Sequence, residues 1–220
     1  MKLDIGKPIL EKNDAGAAAN RKRLDDNKVF MINVLASPGS GKTTSILATI
    51  EALRDKLSFA VIEGDIASKV DSEKIRAAGI PCVQINTGGI CHLESQMISQ
   101  ALDVLDLASI DVIFVENVGN LVCTTDFYLG ENAKVVLLSV PEGHDKPLKY
   151  PTIFQEADAV VLSKVDVIEY FDFDEREFRQ SLDDLNPTAP IFPISASKGS
   201  GMEAWCGWLD AKVAEFGGLN

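Results

Sequence analysis

The chain has 220 residues, enough for one α/β domain with a substantial core. Its 46% apolar and 25% charged residues are the proportions of a folded globular protein. With 33 Asp and Glu against 21 Lys and Arg, the acidic balance excludes a non-specific grip on nucleic acid or on an anionic membrane surface, which leaves small molecules and other proteins as partners.

In chain order, residues 1–27 read as a short extended start followed by a polar helix, an N-terminal helical extension ahead of a single domain over 28–220. The start lacks the apolar stretch of a secretory signal, and no later run approaches the roughly 18 residues of a membrane span, so cytoplasmic residence is expected. Strands are expected at 30–37, 59–65, 82–87, 112–119, 134–140, 159–166 and 190–196, most of them near-continuously apolar, as strands covered on both faces are. Helix-compatible segments lie between many of them, at 42–56, 68–78, 91–108, 174–185 and 201–216. Such alternation predicts a mostly parallel sheet flanked by helices, with ligands gathered at the carboxyl ends of the strands.

The first strand runs into ASPGSGKTT, residues 36–44. Gly39, Ser40 and Gly41, between Pro38 and the helix start, let the backbone curl until its N–H groups face a phosphate. Lys42 then reaches the terminal phosphates, the Thr43 hydroxyl holds Mg²⁺, and Thr44 closes the motif. The usual pattern opens on glycine where this chain has Ala36. An ordinary glycine-rich turn is the alternative, and the strand before and helix after disfavour it. The expected fold is therefore a three-layer P-loop NTPase with a mostly parallel seven-stranded sheet.

Another strand ends in Ser163-Lys164-Val165-Asp166. A carboxylate at Asp166 accepts both hydrogens of guanine's N1 and N2 edge, which adenine does not offer, and the Lys164 stem can cover the base. Guanine-binding GTPases usually carry Asn where Ser163 stands, and an exposed Lys–Asp pair after a strand is the competing reading. Downstream, ISAS at 194–197 resembles the GTPase segment whose backbone, here Ser195 and Ala196, contacts the guanine oxygen. The two signals in order favour GTP and GDP over ATP, and so disfavour an ATP-dependent small-molecule kinase.

Two more strand ends carry carboxylates. Asp65 closes VIEGD, and Glu116 is followed three residues later by Gly119. With Thr43, these carboxylates suit Mg²⁺ or the orienting of an attacking water, and the Gly119 N–H can sense a γ-phosphate. The expected catalytic set is Lys42, Asp65, Glu116 and Gly119. No Arg finger is identifiable, so hydrolysis is expected to be slow.

The four cysteines are spaced too widely and irregularly for a disulfide framework. Cys91 and His92 are adjacent after the third strand, at the expected start of the 91–108 helix, where the dipole would lower a thiol's pKa. Cys123 lies four residues beyond Gly119 on another strand-end loop. Together the three donors suit Ni²⁺ or Zn²⁺ far better than Ca²⁺, with one coordination position left over. For each cysteine alone, a small buried hydrophobe is the usual fate, and Cys82 and Cys206 are assigned to it. His144 is expected to be a solvated loop histidine.

SPGSGKTT, IEGD, INTGGICHLESQM, ENVGNLVC, EGHDKPLKYP, SKVD and FPISASKGSGMEAW, in that order, closely resemble the HypB family of hydrogenase nickel-incorporation GTPases. That family belongs to a dimerising P-loop class that includes the urease accessory GTPase UreG. The resemblance covers nearly the whole chain. It implies a slow GTPase that helps deliver nickel to the [NiFe]-hydrogenase large-subunit precursor, and a homodimer promoted by GTP or metal. It further implies a Ni²⁺ or Zn²⁺ site from Cys91, His92 and Cys123 near the dimer interface, and a HypA-type metallochaperone as partner. The Cys-rich and His-rich N-terminal nickel motifs of some members do not occur in this sequence, so the internal site is expected to be the only one. A UreG-like role in urease maturation, and a nucleotide-gated interaction protein with structural thiols, are the competing functions.

Overall fold

The structure, a computed structural model, describes residues 6–66 and 68–218. Its elements are α1 (Gly6–Asp26), β1 (Phe30–Ala36), α2 (Lys42–Leu53), β2 (Phe59–Asp65), α3 (Val70–Ala77), β3 (Cys82–Asn86), α4 (Ser95–Val104) and β4 (Val112–Glu116). They continue with β5 (Ala133–Ser139), α5 (Lys146–Lys149), α6 (Pro151–Gln155), β6 (Ala159–Ser163), α7 (Glu175–Leu185), β7 (Ile191–Pro193) and α8 (Met202–Gly218). The extended start expected before α1 falls outside the described residues.

The seven strands form one sheet in the order β3-β2-β4-β1-β5-β6-β7, parallel throughout. Alternation along β1 divides the core. Phe30, Ile32 and Val34 face α2, α3 and α8, in a cluster with Ile46, Ile75 and Trp205. Met31 and Leu35 face the opposite layer, where α1 and α4 supply Leu24 and Ile98, and α6 and α7 supply Phe154 and Phe178. Because β1 lies between β4 and β5, the loops after β1 and β4 are neighbours, and both carry motif residues.

α1 is locked by side-chain amides onto the start of α4 and the loop before β5. Asn20 Nδ2 donates to the carbonyls of Ser95, at 2.8 Å, and Leu129, at 3.1 Å. Asn13 Oδ1 accepts the Ser95 N–H at 2.8 Å, so α1 supplies from outside the cap that the first turn of α4 lacks in its own sequence. Gly130, at φ 96°, lets the two segments meet, since a Cβ there would come within 2.5 Å of the Ala17 carbonyl oxygen.

Several boundaries differ from the sequence-based expectation. The helix expected from 91 begins at Ser95, so Cys91 and His92 lie in a bend before it. The strands expected over 112–119 and 159–166 end at Glu116 and Ser163, and a 3₁₀ turn follows at Val165–Tyr170. Backbone carrying site residues leaves the ladder as soon as its groups are needed elsewhere. The short helices α5 and α6, started by Pro147 and Pro151, were not expected. His144 is not a solvated loop residue: it accepts the Asp174 N–H at 3.1 Å, packs edge-on against Phe173 and sits 3.4 Å from Glu177.

Candidate nucleotide and metal sites

The phosphate loop takes its shape from Gly39 and Gly41, at φ 75° and 97°, values that side-chain-bearing residues rarely adopt. Lys42 is buried, its Nζ 3.4 Å from the Ser37 carbonyl, and burial lowers its pKa against the opposing pull of Glu116. The Ser40 hydroxyl is buried without a partner. Thr43 Oγ1 donates to Glu116 Oε1 at 2.8 Å, while Glu116 Oε2 is buried and unpaired. Burial pushes the Glu116 carboxyl up to about 7. A hydroxyl beside an unsatisfied carboxylate, with Asp65 at the neighbouring strand end, is a donor set that fits Mg²⁺. Thr43, Glu116 and Asp65 would hold the ion, which neutralises phosphate charge when bound.

Glu63 was not anticipated. It lies opposite Glu116 in the β2–β4 register and is buried, with Oε2 unpaired. Burial first, and the Glu116 charge second, push its carboxyl up to about 8. Gly119 lies against the phosphate loop so closely that a Cβ there would come within 2.9 Å of the Pro38 nitrogen. The loop after β4 therefore rides directly on the loop after β1.

Lys164 and Asp166 meet Ser195 and Ala196 around a cavity of about 280 Å³ that also reaches Ser40 and Gly41. Two bonds tie this pocket to the phosphate loop: Ser163 Oγ donates to the Ser40 carbonyl at 2.7 Å, and Lys164 Nζ to the Gly39 carbonyl at 2.7 Å. Ser163, which also lines the cavity, thus has its hydroxyl proton committed to the phosphate loop. The Ser195 N–H is committed to the Ser200 carbonyl at 2.9 Å, so the expected backbone contact from Ser195 is already in use.

Cys91 and Cys123 come together, as their spacing suggested, close enough for the Cys123 thiol to act on that of Cys91. That interaction, then burial, raises the Cys91 pKa, opposite to the lowering expected of a helix start. The reason is the bend: Cys91 precedes α4 by four residues, and a thiol, not the helix end, is its neighbour. The Cys123 loop is shaped by Asn120, whose Oδ1 accepts the N–H groups of Val122, at 2.7 Å, and Cys123, at 2.9 Å. His92 Nδ1 lies 3.8 Å from Cys91 Sγ, and its ring stacks on Phe127 at 3.7 Å between centroids. Its Nε2 is buried without a hydrogen-bond partner, 3.7 Å from Glu94 Oε1, and burial lowers its pKa, favouring the neutral imidazole that ligates metals. Among the described residues, no three His, Cys, Asp or Glu side chains close a metal cluster. The single chain brings the donors near one another without completing a coordination sphere. Phe127, which orients His92, had no signal in the sequence beyond being an aromatic residue in a loop. Cys206 is buried in the core as expected, whereas Cys82 is only partly buried against it; burial raises both thiol pKa values.

Residues 30–193 match the family model for the CobW/HypB/UreG nucleotide-binding domain. Hydrogenase maturation factor HypB of Escherichia coli (strain K12) is 45% identical over 210 residues, 96% of this chain and 72% of that protein. Hydrogenase/urease maturation factor HypB of Helicobacter pylori (strain J99) is 42% identical over 217 residues, 97% and 89% of the two chains. Among solved structures, HypB from Helicobacter pylori in complex with nickel superposes with a TM-score of 0.89 at 42% identity, covering 93% of this chain and 96% of that one. Sequence match, identity along nearly the full length and superposition agree: the chain belongs to the HypB family of hydrogenase maturation factors.

Proposed function

We propose that this protein is a slow, GTP-hydrolysing nickel maturation factor for [NiFe]-hydrogenase, in which nucleotide state sets metal binding and dimerisation. The observation that carries the reading is one loop with two ends: Gly119 against Pro38 of the phosphate loop, and Cys123 against Cys91. Its relatives are named as hydrogenase maturation factors, and a structurally similar relative was solved with nickel, which supports the cargo.

The phosphates lie along the backbone N–H groups of 39–43, with Lys42 on the terminal phosphates and the unpaired Ser40 hydroxyl nearby. Asp166 reads the guanine N1–N2 edge, and Ala196 takes the backbone role at the guanine oxygen that Ser195 has spent on Ser200. Asp65, Glu63 and Glu116 surround the attacking water's expected position, and Gly119 feels the γ-phosphate arrive or leave. Movement there shifts Cys123 relative to Cys91 and changes metal affinity. Two thiols and an imidazole per chain leave the metal incompletely held, and a second copy completes it; exposed Ile90 and Val122, beside Cys91 and Cys123, suit burial in that contact. A HypA-type metallochaperone as donor, the hydrogenase large-subunit precursor as acceptor and a cytoplasmic location complete the reading. No described helix is long and apolar enough to cross a membrane.

The name of the Helicobacter pylori relative includes urease, which favours a second reading in which this chain also serves urease maturation. Nickel titration of the GDP and GTP-analogue forms, with sizing, tests the main one. Different nickel affinities and a nucleotide-dependent dimer are expected. Equal affinity in both forms would sink the coupling, and absence of nickel binding would leave a nucleotide-gated interaction protein.

A further inference from the structure

The expected sites leave one buried side chain unused between them. Asn117 is 1% exposed and stands between Glu116 and the Val118–Gly119 segment that lies on the phosphate loop. Its Oδ1 accepts two backbone N–H groups: Val118, at 2.9 Å, on its own loop, and Leu93, at 3.3 Å, the residue after His92. Its Nδ2 donates to Asn33 Oδ1 at 3.1 Å, and Asn33 Nδ2 donates to Glu131 Oε1 at 3.2 Å. The other Glu131 oxygen accepts the Leu129 N–H at 2.7 Å, two residues beyond Phe127, whose ring holds His92. One chain of hydrogen bonds therefore starts beside the γ-phosphate loop and reaches both segments that frame the imidazole.

Asn33, Asn117 and Glu131 are all buried, so a bond lost in this chain is not replaced by bulk water. The chain has discrete partners and cannot yield gradually. Leu93 is also fixed from its far side, its methyl groups filling the space over Gly64, where a Cβ would come within 2.8 Å of them. The covalent route from Gly119 to Cys123 moves a thiol; it does not act on His92.

We propose that Asn117 is the positioning residue that carries nucleotide state to the His92 half of the metal site. When the Val118–Gly119 segment follows the γ-phosphate, the shared Oδ1 moves with it, and the Leu93 N–H and the His92 backbone before it are re-aimed. The inference rests on the nickel reading above and specifies the contact through which it works.

The test compares nickel titrations of the full chain and of Asn117→Ala and Asn117→Asp, each in GDP and GTP-analogue forms. Amide hydrogen exchange at Leu93 is followed in the unaltered chain. Coupled sites typically differ about 5- to 150-fold in affinity. The unaltered chain is expected to show a ratio in that range, with different Leu93 exchange in the two forms. Asn117→Ala should still bind nickel, with the ratio reduced to within about twofold of one. Asn117→Asp keeps the Oδ1 acceptor for Leu93 but loses the donor to Asn33, so its ratio should fall between those of Asn117→Ala and the unaltered chain. A full ratio in Asn117→Ala overturns this inference alone. Equal nickel affinity in the two forms of the unaltered chain overturns the coupling and this inference together. Should Asn117→Ala not fold, identical Leu93 exchange in the two forms of the unaltered chain overturns the inference, and different exchange supports it.

Discussion

The Ser163 hydroxyl donates to the Ser40 carbonyl at 2.7 Å, which holds the base-facing loop and the phosphate-facing loop as one piece. Ser163→Ala removes a buried bond with a net worth of about 1 kcal/mol, so GTP and GDP affinity should both fall about fivefold. The preference over ATP should survive, because Asp166 is untouched. Titration with fluorescent guanine nucleotides, with ATP as competitor, measures both. Collapse of the preference would mean that Ser163 reads the base.

Gly119→Ala places a methyl group 2.9 Å from the Pro38 nitrogen, and a backbone atom cannot step aside as a flexible side chain does. One loop must shift, and GTP hydrolysis should drop on the order of tenfold or more, because small misplacements of positioning groups are costly. Nickel binding by the GDP form should change much less. Phosphate release and nickel titration on one preparation separate these effects.

Cys123→Ala removes the thiol that acts on Cys91. Nickel affinity should fall by more than the roughly 10- to 100-fold that loss of a supporting partner alone costs a metal site. Nucleotide affinity should stay within about twofold, since no single-residue effect is expected at a site that Cys123 does not touch. Parallel nickel and GDP titrations check the pair of outcomes, and unchanged nickel affinity would remove Cys123 from the site.

Glu63 and Glu116, pushed up to about 8 and about 7, hold protons in the folded chain that an unfolded chain has released. Stability of the nucleotide-free protein should therefore fall as pH rises from about 4.5 to about 8, by at most about 1.4 kcal/mol per pH unit for each carboxyl. Glu63→Gln, neutral throughout, should flatten the upper part of that slope. Thermal denaturation across the range gives the comparison, and parallel curves would refute it.

Asn20→Ala strips a donor from the Ser95 and Leu129 carbonyls. A buried group left unsatisfied costs about 1–3 kcal/mol, which should lower Tm by a few degrees for a chain of this size. A loss confined to α1, with an unchanged global transition by circular dichroism, would show that the helix is not part of the cooperative unit.

The parallel sheet and the phosphate loop were legible because both rest on local rules: apolar runs such as FAVI at 59–62 between helix-compatible segments, and Gly39 and Gly41 at a strand-to-helix turn. Cys91 and Cys123 were legible as a pair because parallel strands deliver their following loops to one edge. Glu63 was hidden by ordinary burial in a strand that already displayed Asp65. Asn33 was harder still, since an amide in the run FMINVLA reads as a flaw in a strand; only Asn117 and Glu131, 84 and 98 residues away, give it a purpose. The 91–108 helix was begun too early because its cap comes from Asn13, on a different helix, and no local pattern reveals it.

That borrowed cap bears on how the protein should be handled. A shortened chain starting near residue 27 would keep every phosphate-loop and cysteine residue, yet it would strip the Ser95 N–H of its acceptor and the Tyr128 carbonyl of its donor. Fraying of α4 would then begin three residues from His92, and Tyr128 adjoins the ring on which His92 rests. Affinities measured on such a fragment would describe a loosened site, and a bulky fusion near Asn13 risks the same error.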